Sequence, residues 1–188
     1  MTFQEKNING VFEIQLDPKM DDRGFFMRTY DKKIFAEHGL PTEWVQENHS
    51  FSKDQGTVRG LHFQYTPHPE AKLIRIIAGE GFFAFVDLRK GSPTLGKWGS
   101  VILSALKKNT LFLPKGIAAG LCTLTPDCQL LYKMVEYYDQ PSQGGVRWDD
   151  PDIAIAWPVK EPANISEKDK NAPSFREFLE KTGGGIVA

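Results

Sequence analysis

The 188-residue sequence predicts a mainly β fold, and three observations point to it. Short apolar or alternating runs fill most of the chain. Gly, Pro, Asn or Asp cut them at intervals of roughly 8 to 12 residues, the rhythm of a sandwich or barrel. The glycines Gly79, Gly81, Gly91 and Gly96 fall between the runs, where tight turns call for positive φ.

In chain order, the first strand lies in residues 11–16, where Phe12, Ile14 and Leu16 share one face and Glu13 and Gln15 take the other. Asp31 is positioned to cap a helix running through His38 and closed by Gly39. Further strands are expected at 72–80, 81–89, 99–106, 110–116, 119–124 and 128–138. The Pro-rich residues 151–162 read as irregular wrapping. Ser174 and Glu177 make a capping-box pattern ahead of Phe175, Phe178 and Leu179, and the TGGGIVA tail over 182–188 reads as loose. No repeat, heptad or low-complexity block is present. The architecture expected for residues 1–188 is one domain, an eight-stranded cupin-type jelly-roll β-barrel with a few short peripheral helices, whose mouth suits a small ligand.

Composition narrows the function classes. Apolar residues are 40% and charged residues 25%, with 23 basic against 24 acidic side chains, which favours neither disorder nor a basic nucleic-acid surface. No signal-peptide pattern opens the chain, and no run approaches the ~18 apolar residues of a membrane span, so a cytoplasmic location is expected. Cys122 and Cys128 lack any CxxC or second pair and read as reduced structural thiols.

Individual residues leave the chemistry open. His62, in VRGLHFQ, interrupts a strand where apolar residues would alternate, yet a single strand histidine is more often a satisfied structural residue than a base. Lys72 reads equally as an exposed strand-end lysine, Tyr132 as an ordinary strand aromatic, Asp169 as the capping partner of Ser166, and Arg23 as a turn residue before Gly24. No HxH pair exists and no second histidine lies near His62 in sequence, so no metal is expected.

Taken together, DDRGFF, QENHSFS, GTVRGLHFQ, KLIRIIAGEG, DLRKGSPTLGKW, LPKGIAAG, LLYKMVEYY, WDDPDIAIAWP and ISEKDKNAP, in order from about residue 21 to 173, resemble the dTDP-4-dehydrorhamnose 3,5-epimerase family. The resemblance implies a cofactor-free, metal-free cupin-like homodimer that exchanges N-terminal strands. It implies a nucleotide-linked 4-keto-6-deoxy hexose as substrate, dTDP-linked or CDP-linked, in deoxysugar and cell-surface polysaccharide synthesis. By motif, His62 resembles the base, Asp169 the carboxylate that orients it, Tyr132 the acid on the opposite sugar face and Lys72 the enolate stabiliser. Arg23 and Arg59 match positions that grip the pyrophosphate. Gln46 and Asn48 match nucleotide contacts, and Lys168 and Tyr138 match further positions of the binding site.

Three positions depart from the family pattern. GIAAGL stands where the family has GFAHGF, so Ala119 replaces a site histidine; Arg28 replaces the glutamate of DxRGFFxE; Gln143 replaces the glutamate after the YY turn. These changes in the substrate shell make an altered task a second expectation: epimerisation at C3 or C5 alone, or a CDP-linked sugar. A keto-isomerase and a non-catalytic sugar-nucleotide binder are the rival classes.

Overall fold

The structure is a computed structural model that describes residues 1–187. The chain runs β1 (Thr2–Glu5), β2 (Phe12–Gln15), β3 (Lys19–Asp21), β4 (Gly24–Phe26), α1 (Lys32–Glu37), β5 (Gln46–Ser52), β6 (Val58–Gln64), β7 (Lys72–Ala78) and β8 (Glu80–Asp87). It continues β9 (Trp98–Ser104), β10 (Asn109–Leu113), β11 (Ile117–Thr123), β12 (Cys128–Met134), one 3-10 turn (Gln140–Ser142), β13 (Gln143–Gly145), α2 (Glu167–Lys170) and α3 (Phe175–Thr182).

Two sheets carry the fold, one ordered β1-β2-β10-β7-β12-β5 and the other β13-β6-β11-β8-β9, with β3 and β4 forming a separate ribbon. Counting β5 to β12 as strands one to eight gives 1-8-3-6 facing 2-7-4-5, the interleaving of two Greek keys in a jelly roll. The eight strands of the jelly roll are extended by β1 and β2 beside β10 and by β13 beside β6.

Apolar side chains bury on both faces of both sheets. Ile74, Ile76, Phe83, Phe85, Leu103 and Leu121 fill the space between the sheets. Ile14, Leu73 and Phe112 point the other way, into a layer closed by Phe35 of α1. Leu61, Phe63, Val86 and Leu88 pack outward against Phe178 of α3. Burial on two faces explains why residues 111–113 of β10 and 117–122 of β11 read as continuous apolar runs rather than as alternation.

The caps follow the sequence signals. Asp31 accepts from the Lys33 and Ile34 N–H groups, and Gly39 turns the chain at φ +67. Ser174 and Glu177 form the full capping box.

The tail corrects an expectation. Thr182 is the last residue of α3, and Ile186 is buried, donating to the Leu88 carbonyl at 2.7 Å while its own carbonyl accepts from Lys90 N–H at 2.8 Å. Gly183, Gly184 and Gly185 all have positive φ, so the glycine run that read as loose is the sharp turn that returns Ile186 to the sheet. Ala188 lies outside the described residues. Cys122 and Cys128 are free and buried, and burial pushes the Cys122 thiol up to about 11. Among the described residues no helix is long and apolar enough to cross a membrane.

Candidate active site

On one wall of the sandwich, β6 presents His62 under the control of Gly60. A Cβ on Gly60 would lie 2.5 Å from the Ala119 carbonyl oxygen, and its φ of +109 suits only glycine. The close approach coincides with a register shift in β11 between Ala119 and Leu121. It turns the Gly60 N–H toward Asp169, where it donates to Oδ2 at 3.0 Å. The other carboxylate oxygen, Oδ1, lies 2.7 Å from His62 Nε2. Ser166 caps α2 by accepting from the Asp169 N–H, so Asp169 is both the capping partner and the partner of His62.

Burial by itself would raise the Asp169 pKa. The hydrogen bond and charge of His62, joined by the Gly60 N–H, outweigh that and hold the carboxyl below its usual range. An ionised Asp169 fixes the proton on Nε2 and leaves the lone pair on Nδ1, which makes no hydrogen bond among the described residues.

The opposite wall comes from β7 and β12, which pair with Tyr132 beside Ile74 and Met134 beside Lys72. Lys72 Nζ meets Glu70 2.6 Å away, both side chains largely buried. Burial raises the Tyr132 pKa, the charge of Glu70 adds to the effect and Arg59 opposes it, so the phenol keeps its proton at neutral pH. Gln46 and Asn48 of β5 continue this wall through an amide chain: Gln46 donates to Asn48 Oδ1 at 3.1 Å and accepts from the Tyr138 N–H at 3.1 Å.

Three adjoining cavities share His62 and Gln143. The first, about 450 Å³, is lined by Lys53, Arg59, Ser166, Lys168 and Asp169. The second, about 270 Å³, runs between the sheets, where Lys72, Tyr132 and Ala119 join His62. The third, about 200 Å³, holds Gln46, Asn48, Glu70 and Tyr138. Gln143 joins the lobes, its Oε1 accepting from the Tyr138 hydroxyl at 2.8 Å and from Lys168 Nζ. Arg59 is braced by Ser52 Oγ at 3.0 Å and the Phe51 carbonyl at 2.9 Å. Ala119 pairs across the ladder with His62, its methyl leaving room beside the imidazole.

Eleven of the thirteen candidate residues therefore converge. The other two do not: Arg23 pairs with Asp21 on the exposed β3–β4 ribbon, Arg28 pairs with Asp31 at the start of α1, and neither lines these cavities. Glu70 is the residue that the sequence reading missed. It lies just outside β7, where a charged residue is ordinarily solvated, so strand alternation did not mark it. Among the described residues no group of three His, Cys, Asp or Glu side chains could hold a metal ion.

A cavity with an imidazole–carboxylate pair on one wall and a phenol beside an ammonium on the other is built for proton transfer at carbon. The family model described as dTDP-4-dehydrorhamnose 3,5-epimerase matches residues 5–177. The chain belongs to that family. It is 44% identical over 162 residues to the dTDP-4-dehydrorhamnose 3,5-epimerase of Shigella flexneri, covering 85% of this chain and 88% of the relative. The crystal structure of the Bacillus anthracis 3,5-epimerase with TDP and PPi bound superposes with a TM-score of 0.90 at 41% identity, covering 93% of this chain and 99% of that one. The enzyme from Legionella pneumophila, in complex with dTDP-4-keto-L-rhamnose, gives a TM-score of 0.92 at 34% identity, covering 100% and 98%. The chain's own site carries the imidazole of His62, the carboxylate of Asp169, the phenol of Tyr132 and the ammonium of Lys72, with Ala119 and Gln143 lining the same cavities.

Proposed function

We propose that the chain epimerises a dTDP-linked 4-keto-6-deoxy hexose at C3 and C5, as a step of deoxysugar synthesis. One observation carries the reading: His62 stands on one sheet while Tyr132 and Lys72 stand on the other, around a shared cavity. A sugar ring held between the walls meets a base on one face and an acid on the other, which is what inversion at carbon requires.

In this reaction His62 Nδ1 takes the proton from the carbon next to the C4 ketone. The electron pair moves onto the ketone oxygen, where Lys72 meets the developing negative charge, and Asp169 stabilises the imidazolium. Tyr132 then delivers its proton to the opposite face of the same carbon, and solvent restores both groups. Both C3 and C5 flank the ketone, so one set of residues serves both carbons after the ring shifts. Arg59 and Lys168, in the first lobe, suit the pyrophosphate, with the Arg59 fork already oriented by Ser52 and Phe51. Gln46, Asn48, Tyr138 and Gln143 supply neutral hydrogen-bonding groups to sugar and nucleoside.

Arg23 and Arg28 enter through a homodimer in this reading. The β3–β4 ribbon exposes Met20, Phe25 and Phe26, an apolar surface suited to a second copy, and a ribbon crossing to that copy brings both guanidiniums to a neighbouring site.

The test is solvent exchange. The protein is incubated in D2O with dTDP-, CDP- and GDP-linked 4-keto-6-deoxyglucose, and deuterium is followed at C3 and C5 by NMR. Label at both carbons, fastest with dTDP, is the expected result, and His62→Ala should lose on the order of 10²-fold or more. Label at one carbon alone establishes the mono-epimerase, and a preference for CDP establishes the nucleotide switch. Exchange by His62→Ala at the wild-type rate refutes the base assignment.

A further inference from the structure

Glu70 lies directly before β7 and is buried to 6% exposure, with its carboxylate 2.6 Å from Lys72 Nζ, whose side chain is 12% exposed. At the surface such a pair would hold neither partner in place. Here both ions are withdrawn from water, and each is the other's compensation, so the ammonium cannot leave without stranding the carboxylate.

The geometry leaves Lys72 competent for chemistry. An ammonium has three N–H donors, and Glu70 engages one side of it, leaving donors for an oxygen in the cavity. The same carboxylate shares a lobe with Tyr132. The ionisable groups around the phenol are Glu70 and Lys72 from the β7 side, Arg59 and His62 from β6, and Tyr138 beyond β12. Asp169 sits behind His62, and β5 contributes the neutral Gln46 and Asn48.

We propose that Glu70 is a positioning residue for the epimerisation: it anchors the Lys72 ammonium so that its remaining N–H groups meet the ketone oxygen, and it places a fixed negative charge beside Tyr132. The inference rests on the epimerase reading for its catalytic half and on structure alone for the charge beside Tyr132. Glu70 touches neither the reacting carbon nor the ketone. It acts through two residues that do.

Glu70→Gln and Glu70→Asp test it. The first keeps the shape and removes the charge; the second keeps the charge and retracts it by one methylene. NMR titration of protein labelled at the tyrosine ζ carbon, without substrate, should show Tyr132 losing its proton at lower pH in Glu70→Gln than in wild type, because the carboxylate that favours the neutral phenol is gone. In the exchange assay kcat should fall about 10- to 100-fold, the cost of a misplaced enolate donor, with KM within about twofold. The basic limb of the kcat profile should move to lower pH with the tyrosine, and Glu70→Asp should fall between Gln and wild type in both readouts.

A Tyr132 titration and kcat unchanged in Glu70→Gln overturn the proposal. An equal loss of kcat in both variants with an unmoved titration also overturns it, since that pattern is a purely structural role. If Glu70→Gln fails to fold, Glu70→Asp must still show the same direction at smaller size, and no shift there overturns the proposal. A wild-type protein that exchanges no hydrogen overturns the epimerase reading and the catalytic half with it, while the tyrosine titration still decides whether Glu70 acts on Tyr132.

Discussion

Replacing Asp169 with asparagine keeps the size of the side chain and exchanges one buried acceptor for a donor. The two carboxylate oxygens have separate tasks, Oδ1 toward His62 Nε2 at 2.7 Å and Oδ2 toward the Gly60 N–H at 3.0 Å. An amide can satisfy only one of them. If its NH2 faces Gly60, two donors meet in a buried site, at a cost of roughly 1–3 kcal/mol in stability. If its NH2 faces His62, Nε2 must accept, the ring proton moves to Nδ1, and the lone pair that should abstract the substrate proton is lost. Either orientation also removes the charge that stabilises the imidazolium. A charge-assisted hydrogen bond of about 1.5–3 kcal/mol corresponds to roughly 10- to 150-fold in rate. Tautomer reversal extends the range toward ~10⁴, its magnitude in Ser-His-Asp enzymes. The loss of the C3 and C5 proton signals in D2O at neutral pH should therefore slow by about 10²- to 10⁴-fold, with KM within about threefold because Asp169 has no part in gripping the nucleotide. Exchange within about threefold of wild type would refute the pairing as the source of the base.

Tyr132→Phe should separate exchange from inversion: His62 still removes and returns hydrogen on one face, so deuterium enters with retention while epimerised product falls by ~10² or more. Epimer formation at the wild-type rate, read by NMR coupling constants, counts against Tyr132 as the opposing acid. Asp87→Asn probes stability. Burial would raise this carboxyl, but Arg89, Ser92 and Thr94 hold it down at about 2 against an ordinary 3.8. A depressed folded value stabilises above the unfolded pKa and is lost as pH falls from about 4 to 2, so the shift contributes about 2 kcal/mol at neutral pH. Urea unfolding should show the variant ~3–5 kcal/mol less stable at pH ~7, with the gap narrowing at pH ~3; an equal gap at both values rules the linkage out. Gly60→Ala should lower stability by more than ~2 kcal/mol and reduce exchange, because its Cβ would meet backbone at 2.5 and 2.9 Å. Gly91→Ala is the control: it has positive φ but nothing within 4 Å, and should cost only about 1 kcal/mol. Equal melting temperatures for the two variants would show that the close approach at Gly60 is not needed.

The parity of each strand was open to reading, because side chains alternate whatever the tertiary fold. Strict alternation puts Ile74 and Ile76 on the face of Lys72, and they do line the interior with it. β5 escaped the same reading because QENHSFS carries polar side chains toward the cavity, the opposite of the core pattern that marks a strand. Glu70 escaped because a charged residue before a strand is normally solvated, and only the burial of both partners shows otherwise. The glycine tail misled because a flexible run and a docked turn have the same composition, and Ile186 decides between them only when there is a groove to receive it. What no local pattern contains is sheet membership. His62 and Tyr132 are seventy residues apart, on the second and eighth strands of the jelly roll, and both alternate toward the interior. Had those strands paired in one sheet, base and acid would have approached the ring from the same side, and the same residues would have exchanged hydrogen without inverting carbon. The interleaving of the two Greek keys puts them on opposite walls, so the stereochemical outcome follows from topology, and the motifs supply only the groups that topology sets face to face.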